Sequence, residues 1–211
     1  MKNILLFLIL ILSPLVTAKT LVDASGIAPS ANDVSPLLPG MTVANTCVQD
    51  LNKQSICSNE FFAEKPSVVV FYRGGWCPYC NAQLNRMKSI EKNLVELGYQ
   101  IIAISPDSNK SITEQKKREV LSYRMLTDNE LALSKALGIA YFLDKKTEKM
   151  YRDRLGVPFQ DINGETRVSL PVPAVYIIDK NSKVKFQYVN PDFRARLDED
   201  LLLSAAKQAL K

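Results

Sequence analysis

The 211-residue chain contains no histidine. This absence removes the side chain that most often activates a nucleophilic serine or cysteine, and the commonest zinc ligand besides cysteine. The formal net charge is only +5, and the basic residues are spread over segments of mixed sign rather than gathered in one stripe. Nucleic acid is therefore not an expected partner, and no clustered set of ligands indicates a metal site.

Long apolar runs are also scarce. The one clear run covers residues 4–12, follows Lys2, and is followed by the small residues Val16, Thr17 and Ala18. This order is typical of a secretory signal peptide, so we predict a signal over residues 1–18, cleaved after Ala18. The run is shorter than the roughly 20 residues that span a bilayer, although an uncleaved anchor is the alternative. The prediction is a periplasmic or secreted protein with no membrane association after cleavage.

The rest of the chain has no internal repeat and no low-complexity tract. Residues 19–40 are rich in Ala, Ser, Asn, Asp and Pro without periodicity, which indicates an N-terminal arm or linker. Residues 41–211 have the length of a single domain with a sizeable core.

Within that domain, short apolar runs alternate with segments of helical spacing. The helix 81–97, for example, carries apolar residues at 84, 87, 90, 94 and 97 and is closed by Gly98. A charged helix at 145–154 is expected to be solvated on one face and to carry no chemistry, and Asp128 is expected to cap the helix 130–137. The alternation predicts an α/β fold with a mixed central sheet, helices on both faces and an N-terminal β-hairpin. Predicted strands are 42–48, 54–56, 68–72, 99–105, 124–127, 172–179 and 183–189; the other predicted helices are 112–120 and 193–209.

The most informative motif is Trp76-Cys77-Pro78-Tyr79-Cys80, directly after the predicted strand 68–72. Pro78 suits the first turn of a helix, where its missing N–H has no intrahelical partner. The free N–H groups and the partial positive charge of a helix N-terminus favour a thiolate over a thiol. Cys77 and Cys80 are therefore predicted to form a redox-active dithiol. A structural disulfide and half of a zinc site are the alternatives, but no second CxxC motif is present.

The other two cysteines flank a predicted hairpin turn at residues 50–53. In an oxidising compartment, Cys47 and Cys57 would form a cross-strand structural disulfide, which chain entropy values at about 2.8 kcal/mol. Two buried free thiols, or a resolving role for one of these cysteines, are the alternatives.

The order of elements resembles the thioredoxin fold, and four motifs resemble its peroxiredoxin-like branch, the alkyl hydroperoxide reductase and thiol-specific antioxidant family. The resemblance covers about residues 40 to 190. The motifs are FYRGGWCPYC at 71–80, IAISPD at 102–107, LTD at 126–128 with ALGI at 136–139, and LPVPAVYIID at 170–179.

The usual family motif, Phe-Tyr-Pro-x-x-x-Thr-x-x-Cys, assigns Cys80 to the peroxide-attacking position. Cys77 then replaces the threonine and Arg73 replaces the proline, so Arg73 is either a group that polarises the peroxide or an exposed charge. The family arginine falls on Pro173, which instead resembles the cis-proline beside the dithiol of thioredoxins; an ordinary trans proline is the alternative. Trp76 also resembles part of a thioredoxin peptide groove.

The resemblance implies a thiol-dependent peroxidase that reduces hydrogen peroxide or organic hydroperoxides. Its thiolate would become a sulfenic acid, the second cysteine would form the disulfide, and a thioredoxin-like protein would reduce it again, with no bound cofactor. A periplasmic thiol–disulfide oxidoreductase acting on protein disulfides is the alternative, in which Cys77 attacks first. A non-catalytic binding module is the third.

Overall fold

The computed structural model describes residues 25–155, 160–162 and 165–210. The predicted signal peptide and the first residues of the predicted arm lie outside these ranges. No helix within them combines the length and apolar character that a membrane crossing requires.

The helices are α1 Ser58–Glu64, α2 Pro78–Glu96, α3 Asn109–Glu119, α4 Ala132–Ala136, α5 Lys145–Leu155 and α6 Glu199–Ala209, with a 3₁₀ turn at Ala31–Asp33. The strands are β1 Cys47–Gln49, β2 Ser55–Cys57, β3 Ser67–Phe71, β4 Gln100–Ser105, β5 Arg124–Thr127, β6 Ala140–Phe142, β7 Gln160–Ile162, β8 Glu165–Arg167, β9 Ser169–Pro171, β10 Ala174–Ile178 and β11 Val184–Val189.

A mixed sheet of seven strands forms the centre of the molecule, in the order β11-β10-β3-β4-β5-β1-β2. Strand β3 pairs in parallel with β4, and β4 pairs in parallel with β5. The pairings of β10 with β3 and β11, and of β1 with β2 and β5, are antiparallel. This is the mixed sheet that the alternation of elements predicts.

Strand β3 is buried on both faces, which explains the unbroken apolar run from Val68 to Phe71. Val69 and Phe71 pack into the core on one side with α1 and α4. Val68 and Val70 pack on the other side with residues of α2 and α6. The end of β3 is therefore fixed from both faces, and so is the loop that carries the dithiol.

Helix α2 confirms the predicted apolar spacing, because Leu84, Met87, Ile90 and Leu94 are buried along one face. It begins at Pro78, three residues before the predicted start. Strand β5 has the predicted bounds. Helix α1 and the β7–β8 hairpin are not predicted from the sequence, since both are short.

The described part of the predicted arm packs on the domain instead of extending from it. Ile27 and Ala28 are buried. The N–H of Ala28 donates to the carbonyl of Ala140, and the carbonyl of Ala28 accepts from Phe142, both at 2.9 Å. Residues 25–40 thus add a short edge to β6 and cover part of the core.

Candidate active site

Cys77 is the N-cap residue of α2, and Pro78 occupies the first helical turn, as the motif predicts. The backbone N–H groups of Cys80 and Asn81 donate to the carbonyl of Cys77 at 3.1 and 3.0 Å. Both cysteines are free thiols, and their exposed fractions are 1 % for Cys77 and 0 % for Cys80. The helix therefore brings the two sulfurs together at its N-terminus, beneath other side chains.

The two sulfurs have different acidities. A hydrogen bond from the Cys80 thiol lowers the pKa of Cys77 to about 6, with the Cys80 N–H, Arg73 and Arg196 adding to the effect against a burial cost. Burial raises the pKa of Cys80, and its hydrogen bond to Cys77 raises it further. At neutral pH, Cys77 is therefore a thiolate that accepts a hydrogen bond from the protonated Cys80 thiol. Because the thiolate is the nucleophile, this favours Cys77 over Cys80 as the attacking sulfur.

Arg73 is a buried cation inside an aromatic cage. It is only 2 % exposed, and its guanidinium carbon lies 5.1 Å from the Trp76 ring centre, 5.3 Å from Tyr151 and 4.2 Å from Phe193. Its Nη2 donates to the Tyr151 hydroxyl. Arg73 is therefore not an exposed charge, which removes one of the two alternatives for it.

No carboxylate forms an ion pair with Arg73 in the described part of the chain. Its charge is offset by the faces of the three rings and by the Cys77 thiolate, whose pKa it lowers. The Arg73 Nε atom is buried and has no hydrogen-bond partner among the described residues. The guanidinium thus retains one buried N–H donor that these residues do not use.

The loop before Cys77 is held by a buried carboxylate. Asp107 follows β4, and its Oδ2 accepts from the N–H of Gly75 at 2.7 Å. A side chain at Gly74, which has φ +152°, would collide with the Trp76 indole and the Asp107 carboxylate. Burial raises the pKa of Asp107, against the hydrogen bond from the Gly75 N–H. The absence of a side chain at Gly74 therefore allows the loop to pack closely against Asp107. In this arrangement the Trp76 ring lies beside the Arg73 guanidinium.

Residues 190–197, the cover segment, connect β11 to α6 and lie over the dithiol. Phe193 stacks on Arg73 and meets the ring of Tyr79 with centres 5.7 Å apart. The Nη2 of Arg196 donates to Cys80 Sγ at 3.4 Å. Leu197 of the cover segment belongs to the same buried cluster as the two cysteines, and Trp76 packs against that cluster.

The cover segment is not helical, because α6 begins at Glu199 and not at the predicted residue 193. Asp198 is the N-cap, and its carboxylate accepts from the N–H groups of Asp200 and Leu201. An N-cap aspartate followed by two acids is a stronger helix start than the apolar Phe193, and this signal could have been used on the sequence alone.

Two other predictions need correction. The peptide bond before Pro173 is trans, since no bond among the described residues is cis, so the likeness to a thioredoxin cis-proline does not hold. Helix α5 does carry a contact to the site, because Tyr151 bonds to Arg73 and packs on Trp76 at 5.1 Å between ring centres. Tyr151 is buried although the surrounding sequence of α5 is mostly charged. A single tyrosine in such a helix is the sequence signal that could have indicated a buried face.

Cys47 and Cys57 are joined in a disulfide between directly paired residues of β1 and β2. Strands β4 and β5 separate this hairpin from β3, so the disulfide and the dithiol belong to different parts of the sheet. Within the described ranges, no group of three cysteine, aspartate or glutamate side chains is placed to hold a metal ion.

Comparison with solved structures defines the class of fold. Reduced Prx3 from Vibrio vulnificus in complex with hydrogen peroxide superposes with a TM-score of 0.62 and 19% identity, over 81% of this chain and 99% of that one. Peroxidoxin BcpB from Mycobacterium tuberculosis gives 0.60 and 17%, over 81% and 96%. The fold is thioredoxin-like α/β, as the sequence predicts.

The AhpC/TSA family model matches residues 39–187, so the chain belongs to the AhpC/TSA family. Among curated relatives, the chloroplastic peroxiredoxin Q of Oryza sativa subsp. japonica is 26% identical over 151 residues, which are 72% of this chain and 58% of that protein. The chloroplastic peroxiredoxin Q of Sedum lineare is 28% identical over 129 residues, 61% of this chain and 57% of that protein. The match thus spans somewhat more than half the length of these relatives.

Proposed function

We propose that this protein is a thiol-dependent peroxidase that reduces hydrogen peroxide or organic hydroperoxides through the Cys77–Cys80 dithiol. The observation that carries the proposal is a Cys77 thiolate, with its pKa lowered to about 6, inside an AhpC/TSA domain. The similarity to peroxiredoxin Q and to peroxiredoxin structures supports the same activity.

The chemistry follows from the two acidities. The Cys77 thiolate attacks one peroxide oxygen, the O–O bond breaks, and the sulfur becomes a sulfenic acid while the other oxygen leaves as an alkoxide or hydroxide that takes up a proton. Arg73 keeps the thiolate charged and has an unpartnered buried Nε donor for an oxygen of the substrate. Cys80 then attacks the Cys77 sulfur, releasing water and forming the disulfide. A thioredoxin-like protein returns the pair to two thiols.

This assignment differs from the family register, which puts Cys80 at the attacking position. The difference in acidity favours Cys77 because the Cys80 thiol is the donor of the hydrogen bond between them. The roles of both cysteines, of Arg73 and of Trp76 are part of the proposal.

The second candidate, exchange with protein disulfides, is favoured by one observation. A low-pKa cysteine at a helix N-cap followed by a buried, high-pKa cysteine is also the arrangement that thiol–disulfide exchange needs. The cover segment argues for the peroxidase, because sulfurs exposed by 1 % or less are more accessible to a small peroxide than to a folded protein.

The test is peroxide consumption by the reduced protein, first one equivalent without a reductant and then with excess reduced thioredoxin. The proposal predicts consumption of one peroxide per dithiol, turnover with thioredoxin, and no activity in Cys77→Ser. Absence of consumption, together with a trapped mixed disulfide between Cys80→Ser and a protein substrate, would favour the second candidate.

We further propose export to the periplasm or the outside of the cell. The signal-like residues 1–18 support it, and so does the disulfide between Cys47 and Cys57, because disulfides persist in oxidising compartments. N-terminal sequencing of the protein recovered from its native cell tests this: Lys19 is expected as the first residue, and an intact N-terminus would contradict cleavage.

A further inference from the structure

The sulfur of Cys80 is in direct contact with a cationic side chain. The Nη2 of Arg196 donates to Cys80 Sγ at 3.4 Å, while the Nη1 of the same side chain donates to Gln83 Oε1 at 2.9 Å. Gln83 is 4 % exposed and lies one turn after Cys80 on α2. Gln83 and Cys80 both lie on α2, and Arg196 donates one hydrogen bond to each. The buried Gln83 amide therefore orients the guanidinium toward the Cys80 sulfur.

Cys80 needs such a neighbour to do its part of the reaction. Burial raises the pKa of its thiol, so in the reduced protein Cys80 is protonated and a poor nucleophile. Closing the disulfide requires that this thiol lose its proton in a site that water scarcely reaches. The Arg196 charge and the N–H of Arg73 are the two groups that act in the opposite direction, and both favour the thiolate.

We propose that Arg196 is a catalytic residue of the second half-reaction, where it stabilises the Cys80 thiolate while that thiolate attacks the sulfur of Cys77. This rests on the proposed dithiol cycle. The Cys80 S–H bond breaks and a Cys77–Cys80 S–S bond forms as the S–O bond of the Cys77 sulfenic acid breaks. The departing hydroxide takes the Cys80 proton and leaves as water. Cys80 supplies the electron pair of the new S–S bond. The Cys77 sulfur is therefore reduced from the sulfenic acid to the disulfide level, and the Cys80 sulfur is oxidised from the thiol to the disulfide level.

The role of Arg196 differs from that of Arg73. Arg73 lies in the aromatic cage and lowers the pKa of Cys77, whereas Arg196 contacts the sulfur of Cys80 directly and lowers the pKa of Cys77 by less than Arg73 does. Loss of Arg196 is therefore expected to separate the two steps: the first attack remains fast and the closing of the disulfide becomes slow.

The experiment uses dithiodipyridine, an uncharged aromatic disulfide with a coloured thiol product, and so does not depend on peroxide activity. In rapid mixing at about pH 8, well above the Cys77 pKa of about 6, the first phase reports attack by Cys77. The second phase reports release of the second coloured thiol when Cys80 resolves the mixed disulfide. The variants are Arg196→Met, which removes the charge, and Arg196→Lys, which retains it. The control is Arg194→Met, because Arg194 belongs to the same segment but is 63% exposed and paired with Asp192.

We expect Arg196→Met to slow the second phase by about tenfold or more while changing the first by less than about threefold. Arg196→Lys should recover part of the second-phase rate, and Arg194→Met should match the parent. After hydrogen peroxide, Arg196→Met should accumulate the Cys77 sulfenic acid and then the sulfinic acid, seen as added oxygen in the intact mass.

An unchanged second phase in Arg196→Met would overturn the inference, and so would equal slowing by the lysine variant. Failure of the peroxidase proposal would look different: no variant would consume peroxide, while both coloured phases would remain in the parent.

Discussion

The guanidinium of Arg73 lies 4.2 Å from the centre of the Phe193 ring. This contact joins the end of the central strand β3 to the cover segment 190–197. Phe193 also packs edge-on against Tyr79, which lies between the two cysteines in the sequence. The Phe193 side chain thus attaches the cover segment to two residues near the dithiol, Arg73 and Tyr79.

Replacing Phe193 by alanine is expected to open the dithiol to solvent. Removing the ring forfeits a cation–π contact of about 0.5–2 kcal/mol and the packing against Tyr79, which lies between the two cysteines in the sequence. Alkylation of Cys77 by iodoacetamide at about pH 8 should become roughly tenfold faster, which corresponds to about 1.4 kcal/mol. Phe193→Tyr keeps a ring in place and serves as the control. Equal alkylation rates in the alanine variant and the parent would show that Phe193 does not limit access.

The reactivity of Cys77 should follow a pKa of about 6. Only the thiolate reacts, so the alkylation rate rises with pH and levels off above that value. Cys80→Ala removes the hydrogen bond that contributes most to the lowered pKa, and the midpoint should move to higher pH. Cys80→Ser retains a donor and should keep a lowered midpoint. The ultraviolet absorbance of the thiolate gives the same titration independently, and a parent midpoint near the ordinary thiol value of about 8.5 would contradict the assignment.

Arg73→Met tests the buried cation. Methionine fills a similar volume in the cage but carries no charge, so the pKa of Cys77 should rise. Peroxide reduction near pH 6 should slow on the order of tenfold, about 1.4 kcal/mol in the barrier. Arg73→Lys keeps the charge and should lose less. Thermal stability should change little, because the cost of burying the charge disappears with it. A methionine variant with parent-like activity near pH 6 would remove Arg73 from the mechanism.

The disulfide between Cys47 and Cys57 is expected to stabilise the fold without taking part in turnover. Replacing both by serine removes a cross-link whose loop-closure entropy contributes about 2.8 kcal/mol to the free energy of unfolding. The urea concentration at the unfolding midpoint should therefore fall. Peroxide turnover at a temperature where both proteins are folded should not change, because β4 and β5 separate this hairpin from β3. A loss of turnover with the fold intact would instead assign one of these cysteines a resolving role.

The fold could be predicted from the sequence wherever local pattern and tertiary packing agree. Helix α2 repeats apolar residues at helical spacing, and the same residues are buried. Strand β3 is apolar from Val68 to Phe71, and it is buried on both faces. The position of Cys77 at the start of α2 follows from Pro78 in the same way.

The surroundings of the dithiol could be predicted only in part. Tyr151 and Arg196 reach the site from α5 and the cover segment, far from residue 77 in the sequence, and no local pattern connects them with it. The acidities also depend on this packing, since the order of the two pKa values comes from burial and from which sulfur donates the hydrogen bond. The family register alone therefore points to Cys80, whereas the difference in acidity favours Cys77.

The decisive measurement is which of the two sulfurs hydrogen peroxide oxidises first. Reduced Cys77→Ser and Cys80→Ser proteins are mixed with one equivalent of hydrogen peroxide in the presence of dimedone, which traps sulfenic acids, and the modified residue is located by peptide mass spectrometry. We expect a rapid adduct on Cys77 in the Cys80→Ser protein and little adduct in the Cys77→Ser protein. A rapid adduct on Cys80 with Cys77 absent, and none on Cys77 with Cys80 absent, would contradict it.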